Sequence, residues 1–138
     1  MKKVLEIANR MDEMDKVAAF TEEIGEEVGL SVSVIMSINL ALEEAVANVV
    51  MYAYPHEEGQ HKVTLSAEMN KNGELLFVLS DKGVPFDPTQ VPQADVTLSV
   101  EDRPIGGLGI FLVRKIMGDV SYERIGDENL LKMRKKTK

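Results

Sequence analysis

The sequence contains no cysteine and only two histidines, His56 and His61. Without thiols there is no disulfide, no thiolate metal ligand and no cysteine nucleophile. Two histidines by themselves cannot build a zinc centre, which needs more ligands. Zinc chemistry and thiol redox chemistry are therefore excluded.

The chain also lacks an excess of positive charge and a long apolar run. Its 16 Lys and Arg residues stand against 23 Asp and Glu residues, so the formal net charge is −7, which disfavours nonspecific attraction to nucleic acid or to an anionic membrane surface. No apolar run approaches the roughly 20 residues of a membrane span, and the apolar stretch after Lys3 is too short and too interrupted for a signal peptide. We expect a cytoplasmic protein with no direct nucleic acid partner and no membrane partner.

What is present suits one ordinary domain over residues 1–138. The chain is 44% hydrophobic and 28% charged, a mixture typical of a packed globular protein. A strand is predicted at Lys3–Ala8, followed by a helix that Asp12 can cap and Gly29 can end. A second helix begins at Ser31 or Ser33 and runs to about Tyr54. Its apolar residues occupy nearly every face, so we expect it to be buried on several sides.

The second half of the chain predicts two hairpins and a third helix. The hairpins combine strands at Lys62–Met69 and Glu74–Ser80, and then at Val120–Arg124 and Leu130–Arg134. The near-continuous apolar run of the second of these strands is typical of a strand that has both faces covered or that lies centrally, and we expect it in the middle of the sheet. The third helix opens at Gly106 and runs to Met117. These elements predict an α/β fold, a two-layer sandwich with helices on one face of a mixed, mostly antiparallel sheet.

A pair of polar residues interrupts the apolar second helix. Glu44 and Asn48 are one turn apart, so their side chains project from one face of the helix. A buried carboxylate and amide need polar partners, and a hard cation with phosphate oxygens would supply them. The adjacent Glu43, turned about 100° away, is the competing candidate for a functional acid.

Two further segments carry candidate binding residues. Asp81 follows a central strand, where it can accept a hydrogen bond from an exocyclic amine, and Gly83 lets a flat ring approach the backbone. The glycine-rich run Gly106-Gly107-Leu108-Gly109 precedes a helix, where backbone N–H groups can point at an anion. The intervening segment from Phe86 to Ile105 is rich in proline and lacks periodicity, which is typical of a lid.

Together, these features resemble the Bergerat-fold ATPases shared by DNA gyrase, the heat-shock chaperone, histidine kinases and the mismatch-repair protein MutL. The motifs are Glu44-x-x-x-Asn48, Asp81-x-Gly83-x-Pro85-Phe86-Asp87-Pro88 and Gly106-Gly107-Leu108-Gly109. More closely, the chain resembles the small bacterial anti-sigma-factor serine/threonine kinases. The likeness covers about Ala8 to Lys135.

The resemblance implies ATP and Mg²⁺ as cofactors. Asn48 would hold the metal ion, Glu44 would act as general base, and Asp81 would bind the adenine amine, with Gly83 beside the ring. The main chain of the run Gly106, Gly107, Leu108 and Gly109 would reach the phosphates. Two positions depart from the pattern: Tyr52 stands where related kinases often have a basic residue, and Asn129 lies near the place of a threonine that supports the adenine-binding aspartate.

The function implied is phosphoryl transfer from ATP to a serine or threonine of an antagonist protein, together with sequestration of a sigma factor. The family also implies a homodimer. The alternative is an ATP-binding regulatory module without kinase activity, which switches its partner when nucleotide binds.

Overall fold

A computed structural model describes residues 1–54, 57, 59–90 and 107–137 of the chain. A five-stranded sheet in the order β1-β2-β3-β5-β4 forms one layer. Its strands are β1 (Lys2–Ala8), β2 (Lys62–Met69), β3 (Glu74–Asp81), β4 (Asp119–Ile125) and β5 (Glu128–Lys136). All four pairings are antiparallel, so the predicted mixed sheet is wrong in that respect. Two tight hairpins supply two of these pairings, and a tight turn can only return the chain antiparallel.

Three helices form the second layer: α1 (Met14–Val28), α2 (Val32–Asn48) and α3 (Gly107–Met117). Side chains from all three join those of one sheet face in a single apolar core. Val17 and Ile24 contribute from α1, Leu42 from α2 and Val113 from α3, and each is at most 1% exposed. The two-layer α/β fold is therefore confirmed.

Strand β3 lies in the centre of the sheet between β2 and β5, as predicted. Its burial nevertheless alternates, with Leu75, Phe77 and Leu79 buried and Leu76 and Val78 only half-buried. Of the two alternatives that the sequence offers, the central position is therefore the one that holds. In the described part of the chain, the helices pack on the face that carries Leu75, Phe77 and Leu79.

The start of α1 differs from the prediction. A 3-10 turn at Met11–Glu13 precedes the helix, and no side chain caps it. Asp12, the predicted cap, instead forms an ion pair with Arg10 at 2.7 Å. Glu13 accepts a hydrogen bond from the backbone N–H of Ala8 at 3.0 Å, which ties the turn to the end of β1.

The junction between α1 and α2 follows the prediction. Gly29 ends α1 with a φ of 77°, a left-handed conformation that suits glycine. Ser31 caps α2 by accepting a hydrogen bond from the backbone N–H of Val34 at 3.2 Å.

The second helix changes from α-helical to π-helical winding near its C-terminal end. The α-helix ends at Asn48, and a π-helical turn follows at Val49–Ala53, where the sequence predicts continuous α-helix to about Tyr54. A π turn shifts the angular phase of the residues after it, and such turns are frequent at functional sites. It directs the carbonyl of Ala53 toward the loop after β3, where Ala53 accepts a hydrogen bond from the N–H of Val84 at 2.8 Å.

The second helix is not buried all round. Val32, Met36 and Leu40 are 73%, 67% and 42% exposed, while α1, α3 and the core cover the helix on several other sides, as its apolar composition predicts. Within the described residues, the sheet, α1 and α3 cover this helix, and the side that carries these three residues is open.

By length and composition alone, the helical stretch Val32–Ala53 is apolar enough to cross a membrane, whereas the sequence predicts no apolar run of that length. Within its most apolar window, 44% is buried inside the protein. It packs against α1 and α3, and its buried side chains share one apolar core with those of the sheet. These contacts are typical of the core helix of a globular domain.

Candidate active site

Asp81 is the last residue of β3 and is only 5% exposed. Its Oδ1 accepts hydrogen bonds from the backbone N–H of Gly83 at 2.8 Å and from the amide nitrogen of Asn129 at 2.9 Å. Burial raises the pKa of Asp81, although these two hydrogen bonds and the charge of Arg124 act in the opposite direction. Because both bonds go to Oδ1, Oδ2 is the oxygen left to accept from a ligand.

Asn129 connects the sheet to the loop after β3. It lies directly opposite Asp81 in the β3–β5 pairing and is 4% exposed. Its amide nitrogen also donates to the carbonyl of Val84 at 2.9 Å, and its Oδ1 accepts from the N–H of Phe86 at 3.3 Å. Both amide hydrogens are thus used inside the protein, which fixes the side-chain orientation. The sequence predicts Asn129 near the position that supports Asp81, and the structure shows the hydrogen bond between the two side chains.

Arg124 is a residue that the sequence analysis did not single out. Its Nη1 donates to the carbonyl of Gly83 at 2.8 Å and to Oδ1 of Asn129 at 3.1 Å. The guanidinium therefore holds the loop after β3 from the side of the last hairpin. Alternation in β4 predicts its face but not its partners, so the sequence carried little signal for this role.

Gly83 packs against the end of the π turn. A Cβ atom at this position would lie 2.3 Å from the carbonyl oxygen of Ala53 and 2.7 Å from its carbonyl carbon. Only glycine allows this approach. In the structure the glycine serves loop packing, and its predicted place beside a ligand ring stays a prediction.

Glu44 and Glu43 point to different neighbours. A Cβ atom at Gly109 would lie 2.8 Å from Oε2 of Glu44, so this carboxylate faces the first turn of α3. Glu43 instead accepts a hydrogen bond from Asn39 at 3.2 Å, and Asn39 in turn meets Thr21 of α1. Of the two acids, Glu44 is the one that shares a face with Asn48 and adjoins the glycine-rich helix start.

Asn48 and Asp81 line one small cavity, together with Phe86, Pro88 and Asn129. Its volume is about 20 Å³, room for about one water molecule. The Asn48 side chain is 5% exposed. An adenine ring would therefore fit between Asp81 and Asn48 only if the segment at Phe86 and Pro88 moved.

Two tyrosines, Tyr52 and Tyr54, contact the loop after β3. The ring of Tyr52 packs on that of Phe86 with centroids 5.1 Å apart, and its hydroxyl is buried without a hydrogen-bond partner in the described residues. Tyr54 accepts a hydrogen bond from the N–H of Lys82 at 2.6 Å. Burial raises the pKa of Tyr54, so its hydroxyl stays protonated at neutral pH.

The predicted site residues thus come together from three elements: Glu44 and Asn48 from α2, Asp81 and Gly83 from the end of β3, and Gly109 from α3. Gly107 begins α3, with Leu108 in the same first turn, whereas Gly106 lies outside the described residues. The predicted lid, Phe86 to Ile105, also falls largely outside them, at residues 91–105. Of that segment, the 3-10 turn Pro88–Gln90 is described, and Arg114 of α3 donates a hydrogen bond to the carbonyl of Thr89 within it.

The donor set suits a nucleotide with a hard cation. The site offers a carboxylate at Asp81, a second at Glu44 and an amide oxygen at Asn48, and such oxygens are the ligands that Mg²⁺ and amine donors prefer. In the described residues, no group of three or more His, Cys, Asp or Glu side chains could hold a metal ion alone. A bound cation would therefore need phosphate oxygens as further ligands.

Comparison with known sequences identifies the family and the relatives of this chain. Residues 7–135 match the histidine kinase-like ATPase domain. The chain is 28% identical over 101 residues to the serine-protein kinase RsbW of Bacillus cereus, and equally to that of Bacillus anthracis. Each match covers 70% of this chain and 61% of the relative, so the chain spans less than two thirds of the length of these proteins.

Solved structures show the same fold. The crystal structure of the RsbU and RsbW domains of a Mycobacterium tuberculosis protein superposes with a TM-score of 0.66 at 15% identity, over 97% of this chain and 32% of that one. The histidine kinase domain of a blue-light-activated protein from Erythrobacter litoralis gives a TM-score of 0.58 at 16% identity, over 88% and 65%. With the sequence match covering nearly its whole length, the chain belongs to the histidine kinase-like ATPase domain family.

Proposed function

We propose that the chain is an ATP-binding anti-sigma regulatory factor with serine/threonine protein kinase activity. The observation that carries this proposal is the juxtaposition of Asp81, Asn48 and Glu44, two of them lining one cavity and the third beside Gly109. The named relatives are serine-protein kinases, which supports phosphoryl transfer to a hydroxyl. Family membership alone supports only nucleotide chemistry.

In this proposal, Asp81 accepts a hydrogen bond from the adenine amine through Oδ2, while Asn129 and Gly83 hold Oδ1. Asn48 holds Mg²⁺, which neutralises phosphate charge when bound. The N–H groups at the start of α3, from Gly107 to Gly109, face the phosphates.

Glu44 serves as the base. Its carboxylate takes the proton of a serine or threonine hydroxyl as the hydroxyl oxygen bonds to the γ-phosphorus and the bond to ADP breaks. The products are ADP and a phosphorylated protein, and the proton remains on Glu44 until solvent removes it. Positioning and charge neutralisation supply most of the rate.

One observation favours the second candidate, a regulatory module without kinase activity. Phe86 and Pro88 close the cavity between Asp81 and Asn48 to about 20 Å³, so nucleotide entry requires the loop after β3 to move. Such a movement alone can switch a partner without chemistry. The two candidates differ in whether phosphate leaves ATP.

The remaining parts of the proposal concern the cellular setting. We propose a cytoplasmic protein that acts as a homodimer, phosphorylates an antagonist protein and sequesters a sigma factor. The net charge of −7 supports protein partners rather than nucleic acid.

The deciding experiment uses ATP labelled at the γ-phosphate, Mg²⁺ and, as phosphate acceptor, the proposed antagonist protein. Kinase activity predicts labelled phosphoserine or phosphothreonine on the antagonist. Tight ATP binding without any transfer supports the regulatory module instead, and absence of ATP binding overturns both candidates.

A further inference from the structure

The surface of α2 that faces away from the sheet carries a line of exposed apolar side chains. Val32, Met36 and Leu40 recur every four residues, so they lie on one side of the helix. They are 73%, 67% and 42% exposed. Single exposed apolar residues are ordinary, but a contiguous line of them marks an interaction surface.

The packing of α1 on α2 fixes what lies beside this line. Oγ1 of Thr21 donates to Oδ1 of Asn39 at 3.4 Å, and a Cβ atom at Gly25 would lie 2.3 Å from Cγ1 of Ile35. Residue numbers rise along α1 as they fall along α2 at these contacts. The two helices are therefore antiparallel neighbours.

One step further along each helix, the side chains turn to the same, open side. Glu22 and Glu26 follow the contact residues of α1, as Met36 and Leu40 follow those of α2, and all four are exposed. Consecutive side chains of an α-helix point about 100° apart. Because α1 and α2 are antiparallel, this rotation turns Glu22 and Glu26 toward the same solvent-exposed side as Met36 and Leu40. In the described part of the chain, neither Glu22 nor Glu26 takes part in an ion pair. An acidic row thus borders the apolar line.

The apolar line leads to the candidate base. Glu44 is the next residue in the same four-residue repeat after Leu40, a rise of about 6 Å along the helix. A protein that brings its hydroxyl to Glu44 has this surface directly beside the reacting group. Its charge complement would be an apolar patch bordered by Lys or Arg side chains.

We propose that Glu22, Glu26, Val32, Met36 and Leu40 form a docking surface for the protein whose serine or threonine is phosphorylated. This inference rests on the proposed function and names where its substrate binds. The occupant is the antagonist protein, which would present apolar side chains to α2 and basic side chains to α1.

The test measures steady-state transfer to the antagonist protein and, by calorimetry, binding of the antagonist and of ATP. Met36→Glu and Leu40→Glu place a charge in the apolar line while keeping good helix formers. We expect each to raise the KM and Kd for the antagonist by about tenfold or more, with kcat at saturation and ATP affinity unchanged within about twofold. Val4→Glu is the matched control, because Val4 is 61% exposed and lies on β1.

A second set of variants tests the acidic row, Glu22 and Glu26. The double variant Glu22→Lys with Glu26→Lys should weaken antagonist binding at low salt and reduce the salt dependence of that binding. Glu68→Lys, at an exposed position of β2, is its control and should behave like the unaltered chain.

The outcomes separate this inference from the proposed kinase activity. If the unaltered chain binds the antagonist without phosphorylating it, the kinase proposal fails, and a raised Kd in Met36→Glu still supports docking. Unchanged KM and Kd in all the variants overturn the docking surface, as does an unaltered chain that does not bind the antagonist. If Met36→Glu instead converts a dimer to a monomer with KM unchanged, the surface joins copies of this chain and the proposal is wrong.

Discussion

The amide nitrogen of Asn129 donates a hydrogen bond to Oδ1 of Asp81 at 2.9 Å, across the central β3–β5 pair. Replacing Asn129 by Asp removes this donor and puts a second negative charge beside Asp81. The pKa of Asp81, already raised by burial, should then rise further. We expect ATP affinity to reach its maximum at a higher pH than in the unaltered chain, as measured by calorimetry across a pH series.

Glu128→Gln is the control for this prediction, because it should shift the pH dependence of ATP affinity in the opposite direction. The charge of Glu128 is one cause of the raised pKa of Asp81, so its removal should move the ATP-binding profile to lower pH. Shifts in the same direction for both variants would contradict an electrostatic origin.

Asp81→Asn separates nucleotide binding from folding. The variant amide can still accept from Gly83 and Asn129 through one oxygen, but it presents a donor to the adenine amine. Loss of a hydrogen bond to a charged group costs roughly 1.5–3 kcal/mol, so ATP affinity should fall by about tenfold to a hundredfold. Equal ATP affinity in the two proteins, measured by calorimetry, would remove Asp81 from the site.

The same variant tests the pKa of Asp81 through stability. A carboxyl whose pKa is raised on folding favours the fold most when it is protonated, below its usual value of 3.8. As the pH rises through the folded pKa, this contribution is lost. The free energy of unfolding of the unaltered chain relative to Asp81→Asn should therefore decline with rising pH, as measured by urea unfolding; a constant difference would contradict the raised pKa.

The sequence predicted those features that local patterns determine. The alternation of apolar and polar residues located β2, and Gly29 and Ser31 located the junction between α1 and α2. The one-turn spacing of Glu44 and Asn48 placed their side chains on the same face of α2. It could not predict features that depend on distant chain segments. The bond from Arg124 to Gly83 joins residues 41 positions apart, and the π turn at Val49–Ala53 has no composition signal of its own. The exposed side of α2 was missed because apolar composition does not reveal how many neighbours a helix has.

Gly83→Ala should destabilise the fold. The new methyl group would meet the carbonyl of Ala53, which is held in place by its hydrogen bond to Val84. Overpacking against backbone costs roughly 1–3 kcal/mol, and the displaced loop should also weaken ATP binding. Val84→Ala, at a residue that is 50% exposed, is the control. Urea unfolding followed by circular dichroism measures both, and equal midpoints would contradict the close packing of Gly83.

Gly109→Ala should act on chemistry rather than folding. Its Cβ would lie 2.8 Å from Oε2 of Glu44, the mobile end of a side chain that can move away. Alanine in place of glycine inside a helix contributes up to about 1 kcal/mol of stability, so the fold should be kept. We expect ATP binding to persist while transfer to the antagonist falls, because the base is displaced. Full transfer activity in this variant would show that the position of Glu44 beside α3 does not matter.

Three substitutions on α2 separate the base from the metal ligand and from its neighbour. Glu44→Gln keeps size and helix propensity but removes the base, so ATP should bind within a few-fold while transfer falls by about 10²–10⁴. Asn48→Ala should lose Mg²⁺-dependent ATP binding and transfer together, because the metal neutralises charge in the ground state and the transition state. Single-turnover transfer to the antagonist, with ATP affinity for each variant, provides the measurement.

Glu43→Gln is the matched control for these substitutions, since Glu43 bonds Asn39 rather than facing α3. It should transfer phosphate at nearly the unaltered rate. If Glu43→Gln abolishes transfer and Glu44→Gln leaves it intact, the assignment of the base on this helix is wrong. If both variants keep full activity, no carboxylate of α2 takes the hydroxyl proton, and the rate must come from positioning and phosphate charge neutralisation alone.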